Sequence, residues 1–583
     1  MFKFKKKTHE VLNKHEESKA HKKPDYKQKA IALLIGLVGV FFLLFVIFFV
    51  VSRIFRPEDL ANFLPKDSVI AVVQVSVNPG FDQVEEFYRA LNKYEVYQPG
   101  NIIKLVNETL DVDFVSEVEP WLSRQIGFAF MEKKDSPGEV DTLIFAEFKD
   151  KNKTLEFLKS RGLKTQEDYV LSEDYLGVPI YRYALSQTFN FCFVNNYLVA
   201  ASKPDSLKRV IEVLKGSTPK LKENPLYQKI SQNLPIKSLV FTYVDFNKLT
   251  NLMKTNSNFM SEKGRDLLAF EPFLKLYKGF GSVVLMQNNN VSVQTYTSLD
   301  DTYLKGKELL AYDNKYRGTF LKNMPQDLIL YAGGTNLYKQ IQRYSELFSA
   351  GGEVSYLIFE GLLNAQKNTY FGTEVSLEQD IYPLLQGEYA FAVTKKDEDQ
   401  ALTIMLELDD PLKDKDKIAI LADSLIRKSA ILSPKIIEVT LEDGTVSKEI
   451  QTTPEEISKS TGEYRGYEIN ELNISNQTWG VYYIIIDKTL VISSKKDNLN
   501  MIIDLMVYTG GSFTASQEYS TSVLPVINVS DEIMYIDFDF IGEKIKEVLP
   551  VYLSPFLAPF KSVSTGNNYF KDGISSINYL KID

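Results

Sequence analysis

The sequence predicts an α+β protein: a single N-terminal transmembrane helix followed by two tandem copies of a mainly antiparallel sheet with amphipathic helices packed on it. Three observations predict this. Ala30 to Val51 form one uninterrupted apolar run, the chain beyond it repeats its own order of motifs, and within each copy short turn-linked β-prone runs alternate with helical stripes.

The apolar run reads AIALLIGLVGVFFLLFVIFFVV and carries no charge. As a helix it would extend roughly 33 Å, enough to cross a hydrocarbon core of about 30 Å. Before it lies a tail, residues 1–29, with ten lysines against Glu10, Glu16, Glu17 and Asp25. An excess of Lys beside a span marks the cytoplasmic side. The expected arrangement is therefore a cytoplasmic tail over 1–29, a span over 30–52 in the cytoplasmic (inner) membrane, and residues 57–583 extracytoplasmic. A cleaved signal peptide fits less well, because Val51-Ser52-Arg53-Ile54-Phe55-Arg56 is a poor cleavage site. Ala32 and Gly36 share one helix face, so a homodimer through the span is one option.

From residue 30 onward 72 Asp and Glu outweigh 57 Lys and Arg, which argues against a nucleic-acid surface. The basic tail is better matched to anionic inner-leaflet lipids. Cys192 is the single cysteine, so no intramolecular disulfide exists. More than 500 residues beyond the apolar run exceed one ordinary domain and can bury a large core without cross-links.

The repeat supplies the division: copy one over 57–310, copy two over 318–583. Leu64-Pro65-Lys66-Asp67 aligns with Met324-Pro325-Gln326-Asp327, and Tyr175-Leu176-Gly177 with Tyr464-Arg465-Gly466. Leu198 to Lys203 aligns with Leu490 to Lys495, and Tyr243 to Asn247 with Tyr535 to Asp539. The second copy is longer mainly at 431–460, where two β-prone runs flank Asp443-Gly444 and read as an inserted hairpin. In each copy a hairpin leads into an amphipathic helix. Asn195-Asn196 turns ahead of the stripe Leu207, Val210, Ile211, Leu214; Asp487-Lys488 turns ahead of Leu499, Ile502, Ile503, Met506.

Leu64-Pro65-Lys66-Asp67-Ser68, the run Leu198 to Leu207 and the run Leu234 to Asp245 together resemble the bacterial domain-of-unknown-function family numbered 3352. The resemblance covers most of the chain beyond the apolar run and fits the first copy better than the second. It implies a bacterial, membrane-anchored envelope protein with no established activity, and so carries no catalytic residues over to this chain.

The residues offer little chemistry. His9, His15 and His21 are the only histidines and all lie in the tail, which removes a Ser-His-Asp set or a His-ligated zinc site from the rest. Cys192 stands in the apolar strand Phe191-Cys192-Phe193 and reads as an inert buried thiol, with Ile484 as its counterpart. No phosphate-binding loop and no nucleophile elbow occurs; Gly279-Phe280-Gly281 is only a fragment of a dinucleotide fingerprint. Ser493 and Lys496 have serine–lysine spacing but fall where a strand passes into a helix. Two acidic groups, Asp111, Asp113, Glu117, Glu119 and Asp409, Asp410, Asp414, Asp416, lack the glycine-containing calcium loop and read as solvated turns. Tyr243 and Asp245 with their counterparts Tyr535 and Asp537 are the one symmetric polar set that would line a shared groove; ordering the helix start that follows each pair is the plainer role.

The expectation is thus a non-enzymatic envelope protein whose duplicated domain binds or scaffolds another envelope component, with no cofactor and no metal. The alternative is a small-molecule or lipid-binding module using a cleft between the copies. A carboxylate-based hydrolase ranks third and needs two acids about 5–9.5 Å apart in one cleft.

Overall fold

The structure is a computed structural model that describes residues 59–77, 82–110, 112–133, 138–160, 169–183, 189–255, 276–300, 302, 315–350, 352–396, 399–432, 435–451, 457–475, 477–508, 510–540 and 558–583. The described residues fall in one unit, Phe49–Asp583.

In the first half, β1 (Val69–Ser76) leads through α1 (Asp82–Leu91) and α2 (Pro99–Leu110) to β2 (Leu122–Glu132) and β3 (Val140–Phe148). After α3 (Lys151–Ser160) come β4 (Tyr169–Tyr175), β5 (Val178–Tyr183), β6 (Asn190–Val194) and β7 (Tyr197–Ala201). Helices α4 (Pro204–Leu214) and α5 (Pro225–Gln232) precede β8 (Val240–Asp245), α6 (Phe246–Thr255), β9 (Tyr277–Gln287) and β10 (Asn290–Leu299).

The second half runs through the same series. β11 (Leu328–Thr335), α7 (Leu337–Ala350) and α8 (Glu353–Tyr370) lead to β12 (Glu388–Lys396), β13 (Asp399–Glu407) and the long α9 (Pro411–Leu432). The hairpin β14 (Lys435–Thr440) and β15 (Val446–Gln451) forms a separate two-stranded ladder whose turn places Gly444 at φ +81. Then follow β16 (Ile457–Tyr464), β17 (Tyr467–Ile474), β18 (Gly480–Ile486), β19 (Thr489–Ser493), α10 (Lys496–Val507), α11 (Leu524–Ile527), β20 (Glu532–Asp537), β21 (Phe560–Phe570) and β22 (Gly573–Ile582).

Each half lays its strands side by side in the same antiparallel order. The first is β4-β5-β6-β7-β3-β2-β1-β8-β9-β10. The second is β16-β17-β18-β19-β13-β12-β11-β20-β21-β22. The last strands of the two series, β10 and β22, then pair with each other, making one 20-stranded sheet.

That seam has an internal two-fold relation. Tyr296 and Tyr579 are equivalent positions of β10 and β22, as are Ser292 and Ser575. Tyr296 pairs with Ser575 and Ser292 with Tyr579, while Gln294 pairs with its own counterpart Ile577. A self-complementary strand pair of this kind is the geometry of an isologous dimer interface, here closed within one chain.

The structure corrects the predicted architecture in two respects. The copies do not make two sheets, because β10 and β22 would each end its half as an open edge with unpaired N–H and C=O groups, and pairing the two edges satisfies both rows. Nor does a transmembrane helix lead the described fold. Among the described residues no helix is long and apolar enough to cross a membrane, and the run over 30–52 expected to supply one lies outside them, as does the tail over 1–29.

Alternation along the strands decides which face each helix covers. On β12 and β13, Ala390, Ala392 and Met405 face a core with Leu499, Ile502 and Ile503 of α10, whereas Tyr389 and Leu406 face a second core with Ile418, Ala422 and Ile426 of α9. The equivalent first core in the other half joins Ala129, Met131, Leu143 and Phe145 to Leu207, Val210 and Ile211 of α4 and Tyr227 and Ile230 of α5. The turns that set the register repeat as well: Leu176-Gly177 and Arg465-Gly466 both have two consecutive positive φ values, which the tight hairpin turn requires.

Leu207 is fully buried at the centre of the first core. Leu207→Ala is expected to lower unfolding free energy by about 2–5 kcal/mol, read from urea midpoints at unchanged m-value.

Candidate functional site

The four residues of the expected groove sit at equivalent places but far apart. Tyr243 and Asp245 are on β8 and Tyr535 and Asp537 on β20, with β9, β10, β22 and β21 between them. Five strand spacings amount to roughly 24 Å along the sheet. Tyr243 and Tyr535 are both buried, each in the core of its own half.

Their surroundings differ. The Tyr243 ring packs edge-on against Tyr227 at 5.1 Å, and Tyr227 donates to the Asp59 carboxylate at 2.8 Å. Asp245 accepts the Lys248 backbone N–H at 3.1 Å, which caps the start of α6, and its other oxygen lies 3.6 Å from the Lys248 ammonium. Asp537 likewise accepts from the Asp539 N–H at 2.8 Å. Burial pushes the Asp537 carboxyl above its usual range, with that backbone donor opposing the shift.

Tyr535 borders a polar cluster that the first half lacks. Glu518 accepts from Ser522 at 2.6 Å and from Ser562 at 2.5 Å, and pairs with the Lys581 ammonium. Burial pushes the Glu518 carboxylate up, but Lys581, Ser522 and Ser562 more than offset it, so the group is held below its ordinary value. The equivalent positions in the first half follow from the strand register and the paired caps. Asp245 pairs with Gly279 as Asp537 pairs with Ser562, and Gly279 pairs with Ser298 as Ser562 pairs with Lys581. Asn224 accepts from Tyr227 as Ser516 accepts from Tyr519, which sets Leu226 opposite Glu518. Leu226, Gly279 and Ser298 thus stand where the second half has Glu518, Ser562 and Lys581. The cluster opens into a cleft of about 690 Å³ lined from both halves. Sequence reasoning looked for matches between the copies and so passed over these residues; the mismatches carry the signal.

The other sequence candidates are structural. Cys192 is buried between sheet and α4, and burial pushes its thiol up to about 12. Ser493 is buried and accepts from Asn498 at 3.0 Å and from the Lys495 N–H at 3.3 Å, so it orders the strand-to-helix corner. Asp113 accepts the Ser116 N–H and Asp410 the Lys413 N–H, each at 3.3 Å; both are local caps. Among the described residues no group of three His, Cys, Asp or Glu is arranged to hold a metal ion.

A second surface was also not anticipated. Helix α8 has no buried residue, and Val354 (70%), Leu357 (60%), Ile358 (56%) and Leu362 (57%) are exposed. Their spacing of three, one and four residues is one helical stripe. The opposite side rests on α7 through the stacked rings of Phe348 and Phe359 at 4.8 Å.

Comparison with known proteins gives a family and no activity. The family model described as "Protein of unknown function (DUF3352)" matches residues 29–448. No curated protein matches the chain. Among solved structures, crystal form III of TP0453 is 8% identical over 42% of this chain and 81% of that one, with a TM-score of 0.23; crystal form I is 9% identical over 42% and 80%, also at 0.23. Similarity at that level carries no argument about this chain.

Two outcomes are expected. Native protein at pH 8 should leave Cys192 unreacted with a thiol-specific disulfide reagent until denaturant is added, whereas stoichiometric reaction within seconds would mean the strand opens. For Asp537 the folded-state pKa is raised, so between the unfolded value near 3.9 and the folded one the native state holds more protons and stability falls as pH rises. Asp537→Asn keeps the acceptor for Asp539 and removes that loss. Its denaturation midpoint should exceed wild type at pH 7, and the difference should vanish below about pH 3.5.

Proposed function

This chain belongs to the DUF3352 family of proteins of unknown function, and we propose that it is a binding protein that engages another envelope component through the apolar outer face of α8. The observation that carries this reading is a helix of 18 residues, about 27 Å long, with four large apolar side chains on its outward stripe and none of its residues buried. Leaving such a stripe in water is unfavourable by roughly 25 cal/mol per Å² of apolar area, so a retained stripe of this kind points to a partner.

Its size points to the kind of partner. One helix stripe offers on the order of a few hundred Å², less than the roughly 800 Å² per side of a stable flat interface. A groove that wraps the helix recovers the shortfall, and Gly361, beside which nothing lies within 4 Å, lets a groove wall approach the backbone. The partner is therefore read as a protein that supplies an apolar groove, not a second flat face. The rest of the chain serves as a rigid mount: α7 beneath α8 is fixed by the fully buried Arg343, whose guanidinium lies 3.7 Å from the Tyr569 ring centre. The envelope setting rests on the family resemblance.

The test is site-specific photo-crosslinking in cells. A crosslinker at Ile358 should capture one recurrent partner through residues that line an apolar groove, and one at the exposed polar Asn364 should not. Leu362→Glu should weaken that capture at least tenfold, equivalent to about 1.4 kcal/mol, while leaving the melting temperature within a degree or two of wild type. Equal background labelling at both positions would contradict the reading.

A further inference from the structure

The internal two-fold of the seam gives it two equivalent ends, and they have diverged. At one end the sheet is sealed. Lys229 pairs with the Asp572 carboxylate at 2.7 Å and donates to its carbonyl at 2.9 Å, and Asp572 also accepts the Leu299 N–H at 2.9 Å. The Tyr296 hydroxyl lies against Gly573, where no side chain would fit. Leu347 of α7 packs with Leu276 and Leu299 over the same end.

At the other end the tyrosine is kept as Tyr579, but the ion pair and the glycine are replaced. Thr521 stands at the position equivalent to Lys229 and Asn289 at that of Asp572, so the closing ion pair is absent there by sequence, and both residues line the cleft of about 690 Å³. Asn290, equivalent to Gly573, turns inward to the Tyr579 hydroxyl at 3.2 Å and accepts the Ile582 N–H at 2.8 Å. Glu518 and Lys581 line the cleft and, with the buried Ser562 behind them, stand in place of Leu226, Ser298 and Gly279. Glu518 and Lys581 put ionised groups where the opposite end, which keeps its own pairs Lys229–Asp572 and Lys278–Asp300, holds Leu226 and Ser298, so the fold forms without charge at these particular positions.

The electrostatics of the cleft select the ligand. Arg89 and Lys93 reach it from α1 and the turn beyond, and Lys561 and Lys581 from β21 and β22. These four cations face three lining carboxylates, Glu518, Asp539 and Asp583, in a chain whose net charge is −9. Two of the rim engagements, those of Arg89 and Lys561, are loose, whereas Lys93 donates to the Asp583 main-chain oxygen. Arg89 meets Glu85 at 3.2 Å with both side chains more than 60% exposed, and Lys561 is 3.4 Å from each of Asp539 and Asp583. Asn288 and Asn289, exposed on the β9–β10 turn at positive φ, add amide donors and acceptors beside them.

We propose that this open end of the seam is a binding site for a small hydrophilic anion, a carboxylate- or phosphate-bearing molecule clamped between Arg89 and Lys93 of one half and Lys561 of the other. The cleft is of the size that takes a small ligand, and the two sides of the clamp come from different halves, so occupancy ties the halves together across β10 and β22.

The experiment is calorimetric titration of the full chain with citrate and with inorganic phosphate at low ionic strength. At least one probe should bind saturably at one site. The double variant Arg89→Ala/Lys93→Ala should weaken that binding tenfold or more, and Asn289→Asp, which adds charge without removing packing, should weaken it severalfold. The double variant Lys229→Ala/Lys278→Ala, which removes as much charge from the sealed end, should leave it within twofold. No saturable binding of either probe overturns the proposal, and so does an equal loss in both double variants, which would reduce the effect to net charge.

Discussion

Everything in this molecule hangs on the pairing of β10 with β22. Each half alone would be a ten-stranded antiparallel sheet ending in a bare edge, and a long exposed edge invites association with any other strand. Joining these two edges removes the hazard at the seam, with β4 and β16 as the outer strands of the described sheet, and brings the two halves into one unit. It also fixes the halves about an internal two-fold, with Gln294 opposite Ile577 at its centre. The helices then fall on both faces of the sheet, α4 and α10 on one and α9 on the other.

Much of the local structure was legible. The stripes Leu207–Leu214 and Leu499–Met506 are the buried faces of α4 and α10, and the turns at Leu176-Gly177, Asn195 and Asp487 take the positive φ that their sequences suit. Alternation along a strand and periodicity along a helix are local properties, so a single sequence carries them. What was not legible is long-range. No pattern in Asn290–Leu299 or Gly573–Ile582 names its partner strand, and the duplication itself suggested two independent sheets. The same bias toward similarity hid the cleft, whose residues differ between copies, as Glu518 does from Leu226. The exposed face of α8 was missed for another reason: Val354, Leu357, Ile358 and Leu362 have the spacing of a core stripe, and only tertiary packing among the described residues reveals that they stay exposed.

The two halves have kept one scaffold and parted in what they present. Among the described residues the first half has only the ten-residue α3 at the position of α9, and Phe130 and Ile144 are exposed on the sheet face that α9 covers in the second. The second half carries the apolar ridge of α8, the β14–β15 hairpin and the charged cluster around Glu518. The frame is symmetric and its surfaces are not, and each departure from symmetry marks a place where folding alone did not choose the residue.

The most direct test of this account uses the two tryptophans, Trp121 in the first half and Trp479 in the second. Single-tryptophan proteins, Trp121→Phe and Trp479→Phe, each combined with Thr295→Pro in the middle of β10, report the halves separately during urea unfolding. Proline at that position removes a ladder donor and clashes in the strand. If the seam makes one cooperative body, both tryptophans report a single transition at the same lowered midpoint. If Trp479 keeps its original midpoint while Trp121 alone shifts, the halves are independent and the continuous sheet is not what holds the molecule together.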